Sequence, residues 1–226
     1  YPKSLEANFK GLQIAEKAVK EVILNLKSGQ SELETVWQLE QSIRAQGSEA
    51  LAFWPIVAFG KNSAIPHHDP DQTKLQAGDL VMIDFGAKYQ SYHSDFTRCF
   101  AYQKASAEIM NIHEIVKNAQ SLGEKSIKID SSGQEVDQIV RNFFQKQGLD
   151  SYFSHGLGHG LGLEIHELPK LSPKSTDILA ANQVVTCEPG LYFPEKFGIR
   201  LENCGVISTS GFQAFNQMSM DLQIIK

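Results

Sequence analysis

The chain has 226 residues, of which 42% are hydrophobic and 21% charged, and its formal net charge is −5. A chain of this length can bury most of the surface that it exposes when unfolded, so it predicts one globular domain that folds without disulfides or a structural metal. The acidic balance, without any block of Lys and Arg, excludes the electrostatic footprint of a nucleic-acid-binding protein.

Cysteine usage and hydropathy indicate where the protein works. Cys99, Cys187 and Cys204 are far apart and form no Cys-x-x-Cys pair, which fits a reducing compartment. No apolar run approaches the ~18 residues of a membrane span, and no signal segment is visible at the amino end. We therefore predict a cytoplasmic protein that binds neither membrane nor nucleic acid. The chain starts at Tyr1 rather than Met, which predicts that it is cut from a longer parent protein.

The first half of the chain reads as two helices followed by strands. Apolar positions that step by three or four predict an amphipathic helix from Leu5 to Leu26. Ser31 and Glu34 have the spacing of a capping box and predict a second helix that runs to about Gln46. Segments rich in Val, Ile and aromatic residues then predict strands over 51–59, 79–87 and 92–102.

The second half repeats this order. One helix is predicted to end at Gly123 and another to run from Ser132 to Gly148, with strands over 153–165, 183–188 and 198–207. Two helices followed by strands, twice over, predict an α+β domain of two similar halves. The long loop from Gly60 to Gly78 is expected to be functional or mobile.

Four carboxylates stand in apolar surroundings. Asp84 lies inside a hydrophobic strand, where a bare carboxylate would cost several kcal/mol unless it is paired or binds a metal. A hairpin over 88–91 would place Asp84 roughly opposite Asp95, with Cβ atoms about 5 Å apart. Glu188 and Glu202 also lie in predicted strands, and strand alternation puts Arg200 on the face of Glu202. Arg200 is then either a plain ion-pair partner or a residue that orients a metal-binding carboxylate.

The segment 154–163 carries four glycines and two histidines and is better read as a strand than as a helix. Its glycines then point to one face, where another backbone can approach, and His155 and His159 point to the other. In an extended chain the two histidines are about 13 Å apart, so they are not expected to bind the same ion. The pattern alone leaves open which of them binds metal and which faces substrate.

Two Asp, two Glu and one imidazole form an oxygen-rich set suited to Mn²⁺, Co²⁺ or Zn²⁺, and four carboxylates neutralise two divalent ions. Such a pair of ions activates water and polarises a carbonyl group, so metal-assisted hydrolysis is predicted. His67 and His166 are candidates to hydrogen-bond that carbonyl or to move protons. Only one of His67 and His68 is expected to face the site, because adjacent side chains diverge. His93 and His113 are expected to be surface or structural residues.

Five ordered motifs, over about residues 12–211, resemble the catalytic domain of the prolidase and aminopeptidase P group of metallopeptidases. The motifs are Pro66-His-His-Asp-Pro, Asp84-Phe-Gly with Ser94-Asp-Phe-Thr-Arg, His155-Gly-Leu-Gly-His159 with His166-Glu167, Glu188-Pro-Gly, and Gly198-Ile-Arg-Leu-Glu. The resemblance implies the pita-bread fold of the methionine aminopeptidase-like enzymes. In this α+β fold, two pseudo-symmetric halves, each with two helices and antiparallel strands, form a curved sheet with the helices outside.

The resemblance also implies a dinuclear metal site, with Mn²⁺ as the expected ion and Co²⁺ or Zn²⁺ as alternatives. The implied ligands are Asp84, Asp95, His159, Glu188 and Glu202, of which Asp95 and Glu202 would bridge the two ions.

The same resemblance implies roles for the other side chains. Glu188 would also contact the metal-bridging hydroxide and relay its proton. His67 and His166 would support the scissile carbonyl and the tetrahedral intermediate. His155 would line the substrate channel. Arg200 would contact the metal ligands without binding a metal ion itself.

The expected activity is hydrolysis of the Xaa-Pro bond in dipeptides or at peptide amino ends. Two alternatives are a methionine aminopeptidase-like peptidase and a catalytically inactive pita-bread domain that binds peptides or proteins. An additional amino-terminal domain and a homodimeric parent protein are further expectations from the resemblance. Asn203 and Phe53 depart from residues that are frequent in the group, Asp and Tyr, and neither change removes a ligand.

Overall fold

The computed structural model describes residues 3–226, so Tyr1, on which the prediction of a longer parent rests, lies outside the described residues. Helix α1 spans Lys3–Ile23 and ends before the predicted Leu26. Helix α2 spans Glu32–Ala45 and begins with the predicted capping box. The amide of Glu34 donates to Ser31 Oγ at 3.1 Å, and the amide of Ser31 donates to Glu34 Oε2 at 2.6 Å.

The predicted strands of the first half are present, but each is divided. They are β1 Ala50–Leu51, β2 Ile56–Phe59, β3 Leu80–Phe85, β4 Ala87–Tyr89, β5 Tyr92–His93 and β6 Phe96–Tyr102. The division at Gly86 has a steric cause, because a Cβ there would collide with the carbonyl oxygen of Ser94. Ser94 and Asp95, which lie between β5 and β6 in the sequence, belong to neither strand.

The second half begins with α3, Ala107–Ser126, and α4, Gly133–Lys146, which Ser132 caps as predicted. The prediction that a helix ends at Gly123 is wrong, since α3 continues past it. Gly123 is needed for packing instead, because a Cβ there would lie 2.6 Å from Cys187 Sγ. The remaining strands are β7 Gly158–Gly160, β8 Glu167–Leu171, β9 Val184–Cys187, β10 Gly190–Phe193, β11 Phe197–Arg200, β12 Asn203–Ser208, β13 Gly211–Ala214 and β14 Gln223–Ile225.

The long strand predicted over 153–165 is mostly wrong, because only β7 pairs with neighbours. The backbone before β7 bonds to a side chain instead: the Arg141 guanidinium donates to the carbonyl oxygens of Phe153 and His155. Within β7 the glycines do what the sequence predicts. A Cβ at Gly158 would collide with the Thr186 carbonyl, and one at Gly160 with the Leu168 carbonyl.

The strands form two larger sheets and two small ribbons. One sheet has the order β14-β6-β3-β2, in which only β14 is parallel to its neighbour, and the other has the order β13-β12-β9-β7-β8. The ribbons are β1-β4-β5 and β10-β11. One hydrophobic cluster includes residues of α1 and α2, and a second includes residues of α3 and α4. The predicted α+β arrangement of two halves, each with two helices, is confirmed.

Several residues outside the cavity bear on the predictions. His93 and His113 are buried, so both are structural rather than surface residues. Burial lowers the pKa of His113 to about 4. The three cysteines are free and buried. Within residues 3–226, no helix combines the length and the apolar character needed to cross a membrane.

Candidate functional site

A cavity of about 390 Å³ lies where the two halves meet, and all nine side chains singled out from the sequence line it. They are His67, Asp84, Asp95, His155, His159, His166, Glu188, Arg200 and Glu202. The tertiary structure therefore brings together every predicted site residue, from segments up to 135 positions apart.

Strand pairing positions the carboxylates of the first half. Asp84 in β3 lies opposite Thr97 in β6, so Asp95, predicted to lie roughly opposite Asp84, is offset from that position by two residues. Asp95 precedes Thr97 by two residues, and such a diagonal neighbour lies on the same face as Asp84. Thr97 also reaches the second half: its hydroxyl donates to Glu202 Oε2 at 2.7 Å, and its carbonyl accepts from the Glu202 amide at 3.2 Å.

His159 presents an unprotonated nitrogen to the carboxylates. Its Nδ1 lies 3.0 Å from the Gly160 carbonyl oxygen, which can only accept, so the ring proton is on Nδ1 and Nε2 carries a lone pair. Burial lowers the pKa of this imidazole, which favours the neutral form. Nε2 lies 3.6 Å from Asp95 Oδ2 and 3.4 Å from Glu188 Oε1. Three possible ligand atoms thus lie close together, and a cation bound between them would displace any proton that they share.

His155 is placed differently, and its hydrogen bonds favour one of the two alternatives that the sequence left open. Its Nδ1 donates to the Gly156 carbonyl at 2.8 Å, and its Nε2 accepts from the Tyr192 hydroxyl at 2.8 Å. Burial, with a smaller contribution from Arg200, lowers the pKa of His155 to about 3. Both ring nitrogens already have protein partners, so His159 is the histidine that is free to bind a cation.

Burial dominates the electrostatics of the carboxylates. It raises the pKa of Glu188 to about 8, and burial together with repulsion from neighbouring carboxylates raises the pKa values of Asp95 and Glu202 well above their usual range. Arg200 is the one Lys or Arg side chain that lines the cavity within the described part of the chain. Its Nη2 donates to Asp84 Oδ2 at 2.6 Å, so a single guanidinium faces four acidic side chains.

The donor set fits divalent cations. Asp84 Oδ1, Asp95 Oδ1 and Glu202 Oε1 are buried and have no hydrogen-bond partner among residues 3–226. A buried carboxylate oxygen without a partner is costly, and a bound metal ion would provide that partner. Asp95, His159 and Glu202 each offer a ligand atom, and these atoms lie within 4.8 Å of one another. Oxygen atoms with one imidazole are the ligands that Mn²⁺, Co²⁺ and Zn²⁺ accept.

Two further histidines stand at the mouth of the cavity. His67 and His166 are exposed, and the ring centroid of His166 lies 4.4 Å from that of His159. His68 touches the cavity wall, but its Nε2 donates to Glu32 Oε2 at 2.7 Å. Both members of the His-His pair therefore border the cavity; His68 is engaged by Glu32, and His67 is the exposed member.

Sequence reasoning missed Thr97, Tyr192 and an apolar wall. Thr97 could have been found, because it lies two residues after Asp95 and therefore shares its strand face. Tyr192, whose hydroxyl accepts from Arg200 Nη1 at 2.7 Å, has no comparable signal. The wall is formed by Phe53, Trp54, Ile56 and Ile165. Hydrophobic side chains of this kind cannot be told from core residues in a sequence.

The fold and the site together define a class, the metallopeptidases with the pita-bread fold. The structure superposes on the X-Pro aminopeptidase from Thermotoga maritima with a TM-score of 0.97 and 35% identity, over 100% of this chain and 64% of that one. Residues 9–209 match metallopeptidase family M24. The chain belongs to this family, which confirms the predicted resemblance and the predicted fold.

Two relatives show the same similarity in sequence. The Bacillus subtilis peptidase YqhT is 39% identical over 213 residues, which are 94% of this chain and 60% of that protein. The Xaa-Pro dipeptidase of Pyrococcus horikoshii is 37% identical over 213 residues, or 94% of this chain and 61% of that enzyme. The chain therefore spans about three fifths of the length of these relatives.

Proposed function

We propose that the protein is a metal-dependent exopeptidase that hydrolyses the Xaa-Pro bond of dipeptides or of peptide amino ends. The observation that carries the proposal is the convergence, from both halves, of four carboxylates and an unprotonated imidazole nitrogen, with three carboxylate oxygens that have no partner in the part of the chain that the structure describes. The substrate class comes from the relatives, which include an Xaa-Pro dipeptidase and an X-Pro aminopeptidase.

Asp84, Asp95, His159, Glu188 and Glu202 would hold two divalent cations, with Mn²⁺ expected and Co²⁺ or Zn²⁺ as alternatives. Bound cations would polarise the scissile carbonyl and lower the pKa of a water molecule toward neutrality.

In this proposal, Glu188 transfers a proton from the attacking water to the leaving group. Its Oε1 accepts from the Thr186 hydroxyl at 3.1 Å, which fixes the orientation of the carboxyl group. The attacking water must lose a proton and the departing prolyl nitrogen needs one, and a carboxylate held beside both can carry it. Glu188 is therefore suited to take a proton from attacking water and deliver it to the leaving group.

His67 and His166 would act on the carbonyl side of the bond. Both are exposed at the cavity and can turn an N–H toward the oxygen that gains negative charge during the reaction. The ring of His155 lines the same cavity, but its nitrogens are engaged by Gly156 and Tyr192. His155 would therefore contact a bound peptide through the carbon atoms of its ring.

Arg200 would keep the acidic side chains in place. Its guanidinium donates to Asp84 Oδ2, to Thr97 Oγ1 at 3.1 Å, to the Tyr192 hydroxyl and to the Pro66 carbonyl. Because Thr97 in turn donates to Glu202, one residue orients carboxylates from both halves.

The apolar wall supports a proline-containing substrate. The Xaa-Pro bond is a tertiary amide without an N–H group, so hydrophobic side chains can cover it without leaving a donor unsatisfied. Phe53, Ile56 and Ile165 line the cavity, and Trp54 is 51% exposed beside them.

The test compares cleavage of Xaa-Pro, Xaa-Pro-Yaa and Met-Ala peptides after chelation and reloading with Mn²⁺, Co²⁺ or Zn²⁺. We expect metal-dependent hydrolysis that is faster for the Xaa-Pro substrates. Equal or reversed rates would assign the protein to the methionine aminopeptidase-like enzymes. Binding of Xaa-Pro peptides without cleavage under any metal would favour the inactive binding domain.

A further inference from the structure

Glu32 is a buried carboxylate that the mechanism above does not use. Its side chain is 0% exposed although it is the first residue of α2, at the helix end that favours negative charge. Its Oε1 accepts from the Phe59 amide at 2.8 Å and from Asn62 Nδ2 at 3.0 Å. Its Oε2 accepts from His68 Nε2 at 2.7 Å and from the Asp71 amide at 3.0 Å.

All four donors belong to the segment 59–71, which begins at the end of β2 and carries His67. This segment has little regular structure of its own: one short 3₁₀ helix, Gly60–Ala64, precedes the turn that contains His67. Glu32, His68 and Asp71 form an acidic cluster with one imidazole, but both Glu32 oxygens already have two N–H donors each. The cluster is therefore a clamp on the loop rather than a place for a cation.

Three consecutive residues show what the clamp does. Pro66 is held at its carbonyl by Arg200 Nη1 at 3.1 Å, and His68 is held by Glu32. His67 lies between them and faces the cavity. The bonds to the Pro66 carbonyl and to the His68 ring fix the backbone on both sides of His67, so they also fix the place from which the His67 ring reaches the cavity.

We propose that Glu32 is a positioning residue of the hydrolytic site, which acts by fixing the loop that presents His67. This inference rests on the proposed function, because His67 matters only if a carbonyl group reacts in the cavity. Glu32 itself touches neither cavity nor substrate, and its effect passes through His68 and the backbone of 66–71.

The variant Glu32→Gln keeps the shape of the side chain and removes half of its acceptors. An amide has one acceptor oxygen, so its NH₂ group must point at two of the four N–H donors in either orientation. We expect kcat for Xaa-Pro hydrolysis to fall about tenfold with KM changed by less than about twofold, because a small displacement of His67 weakens a contact made to the reacting group.

The matched control is Glu34→Gln. Glu34 lies in the same first turn of α2 and contacts Ser31 and Lys74, but it makes no hydrogen bond to residues 59–71. Its replacement is expected to weaken the helix cap and to leave kcat within about twofold of the wild type.

A double-mutant cycle separates positioning from general destabilisation. If Glu32 acts through His67, then Glu32→Gln lowers kcat by less than about twofold in a His67→Ala background. Deuterium exchange of peptides covering residues 59–74 is measured in parallel, and Glu32→Gln is expected to speed exchange there while α3 and α4 keep their protection.

Unchanged exchange in residues 59–74, or a full tenfold loss in the His67→Ala background, would overturn the positioning role in an active enzyme. A wild-type protein that cleaves no Xaa-Pro peptide with any of the three metals would refute the proposed function and the positioning role together. Faster exchange combined with a non-additive cycle supports both.

Discussion

Asp95 shows how one residue can be unfavourable for stability and necessary for a site. It is 5% exposed, its Oδ1 has no partner among residues 3–226, and burial with three neighbouring carboxylates raises its pKa. A carboxylate in this environment is destabilising unless a cation is bound beside it. The proposed metal site would give this side chain the partner that the fold does not provide.

The first prediction concerns Asp95→Asn. We expect metal occupancy and Xaa-Pro hydrolysis to fall by at least about tenfold, because a charged ligand is lost. The metal-free variant is expected to be more stable than metal-free wild type by about 1 kcal/mol, because the substitution removes a buried charge. Metal content by elemental analysis and thermal unfolding in chelator check the two parts.

The control for this variant is Asp130→Asn. Asp130 is exposed and has a positive φ of 66°, which Asn also tolerates. It should change neither metal content nor stability appreciably. Full occupancy and full rate in Asp95→Asn would remove Asp95 from the proposed ligands.

Among the elements, β7 determines where the imidazole of His159 lies. It is three residues long, and its glycines allow the backbones of β8 and β9 to approach more closely than any side chain would permit. The amide of His159 donates to Thr186 Oγ1 at 3.1 Å, so β9 fixes the histidine along the strand. The close packing of the β7 backbone therefore fixes the position of the His159 ring in the cavity.

The second prediction is that Gly158→Ala disrupts this packing. The added methyl group would collide with the Thr186 carbonyl, which is backbone and cannot rotate away. We expect a loss of about 2 to 3 kcal/mol in the free energy of unfolding, and lower metal affinity because His159 is displaced.

Gly162→Ala provides the comparison in the same glycine-rich segment. Its Cβ would lie 2.8 Å from Glu167 Oε2, the far end of a flexible side chain that can move. The expected loss is below about 1 kcal/mol. Similar losses for the two variants, measured by urea unfolding, would contradict this account of β7.

On the scale of the whole molecule, the cavity depends on contact between the halves. Asp84 and Asp95 come from the first half, and His159, Glu188 and Glu202 from the second. Thr97 and Arg200 connect the two sides by hydrogen bonds, so the site exists only when both halves are folded and joined. Like-charged groups concentrated at such a junction make the stability of the molecule depend on pH and metal.

The third prediction is that the metal-free protein loses stability as pH rises from 6.5 to 8.5. The folded-state pKa of Glu188, about 8, lies above its value in an unfolded chain, so the folded protein binds the proton more tightly and loses that advantage as pH passes 8. The expected loss from Glu188 is about 2 kcal/mol. The histidines whose pKa values are lowered by burial are neutral in the folded protein, and their partial protonation in the unfolded chain near pH 6.5 opposes this trend by about 0.4 kcal/mol each.

The metal-loaded protein should show the opposite trend, because cations compete with protons for the same oxygens. Thermal unfolding in chelator and in Mn²⁺, at matched ionic strength, checks both trends. A metal-free protein that becomes more stable toward pH 8.5 would contradict the raised pKa, and Glu188→Gln should flatten the slope.

Some expectations stay predictions at this scale. They are the two ions and their identity as Mn²⁺, the cytoplasmic location, the homodimer and the additional amino-terminal domain. The relatives are longer than this chain by about two fifths of their own length. The choice between a dipeptidase and an aminopeptidase belongs to the same group of open predictions.

The sequence by itself determined the helices, the strand-rich segments and the side chains that line the cavity. Helix caps such as Ser31 with Glu34 are local, so spacing suffices to find them. Carboxylates in apolar strands are conspicuous because their burial requires a partner.

Tertiary structure alone decided the rest. Whether a segment such as 153–157 becomes a strand depends on what it meets, and here it meets the Arg141 side chain. The hydrogen bonds that hold His155 and His159, the clamp of Glu32 on the His67 loop and the joining of the halves through Thr97 are contacts between residues 27 to 105 positions apart. No local pattern encodes such contacts, because they arise from the packing of whole elements against one another.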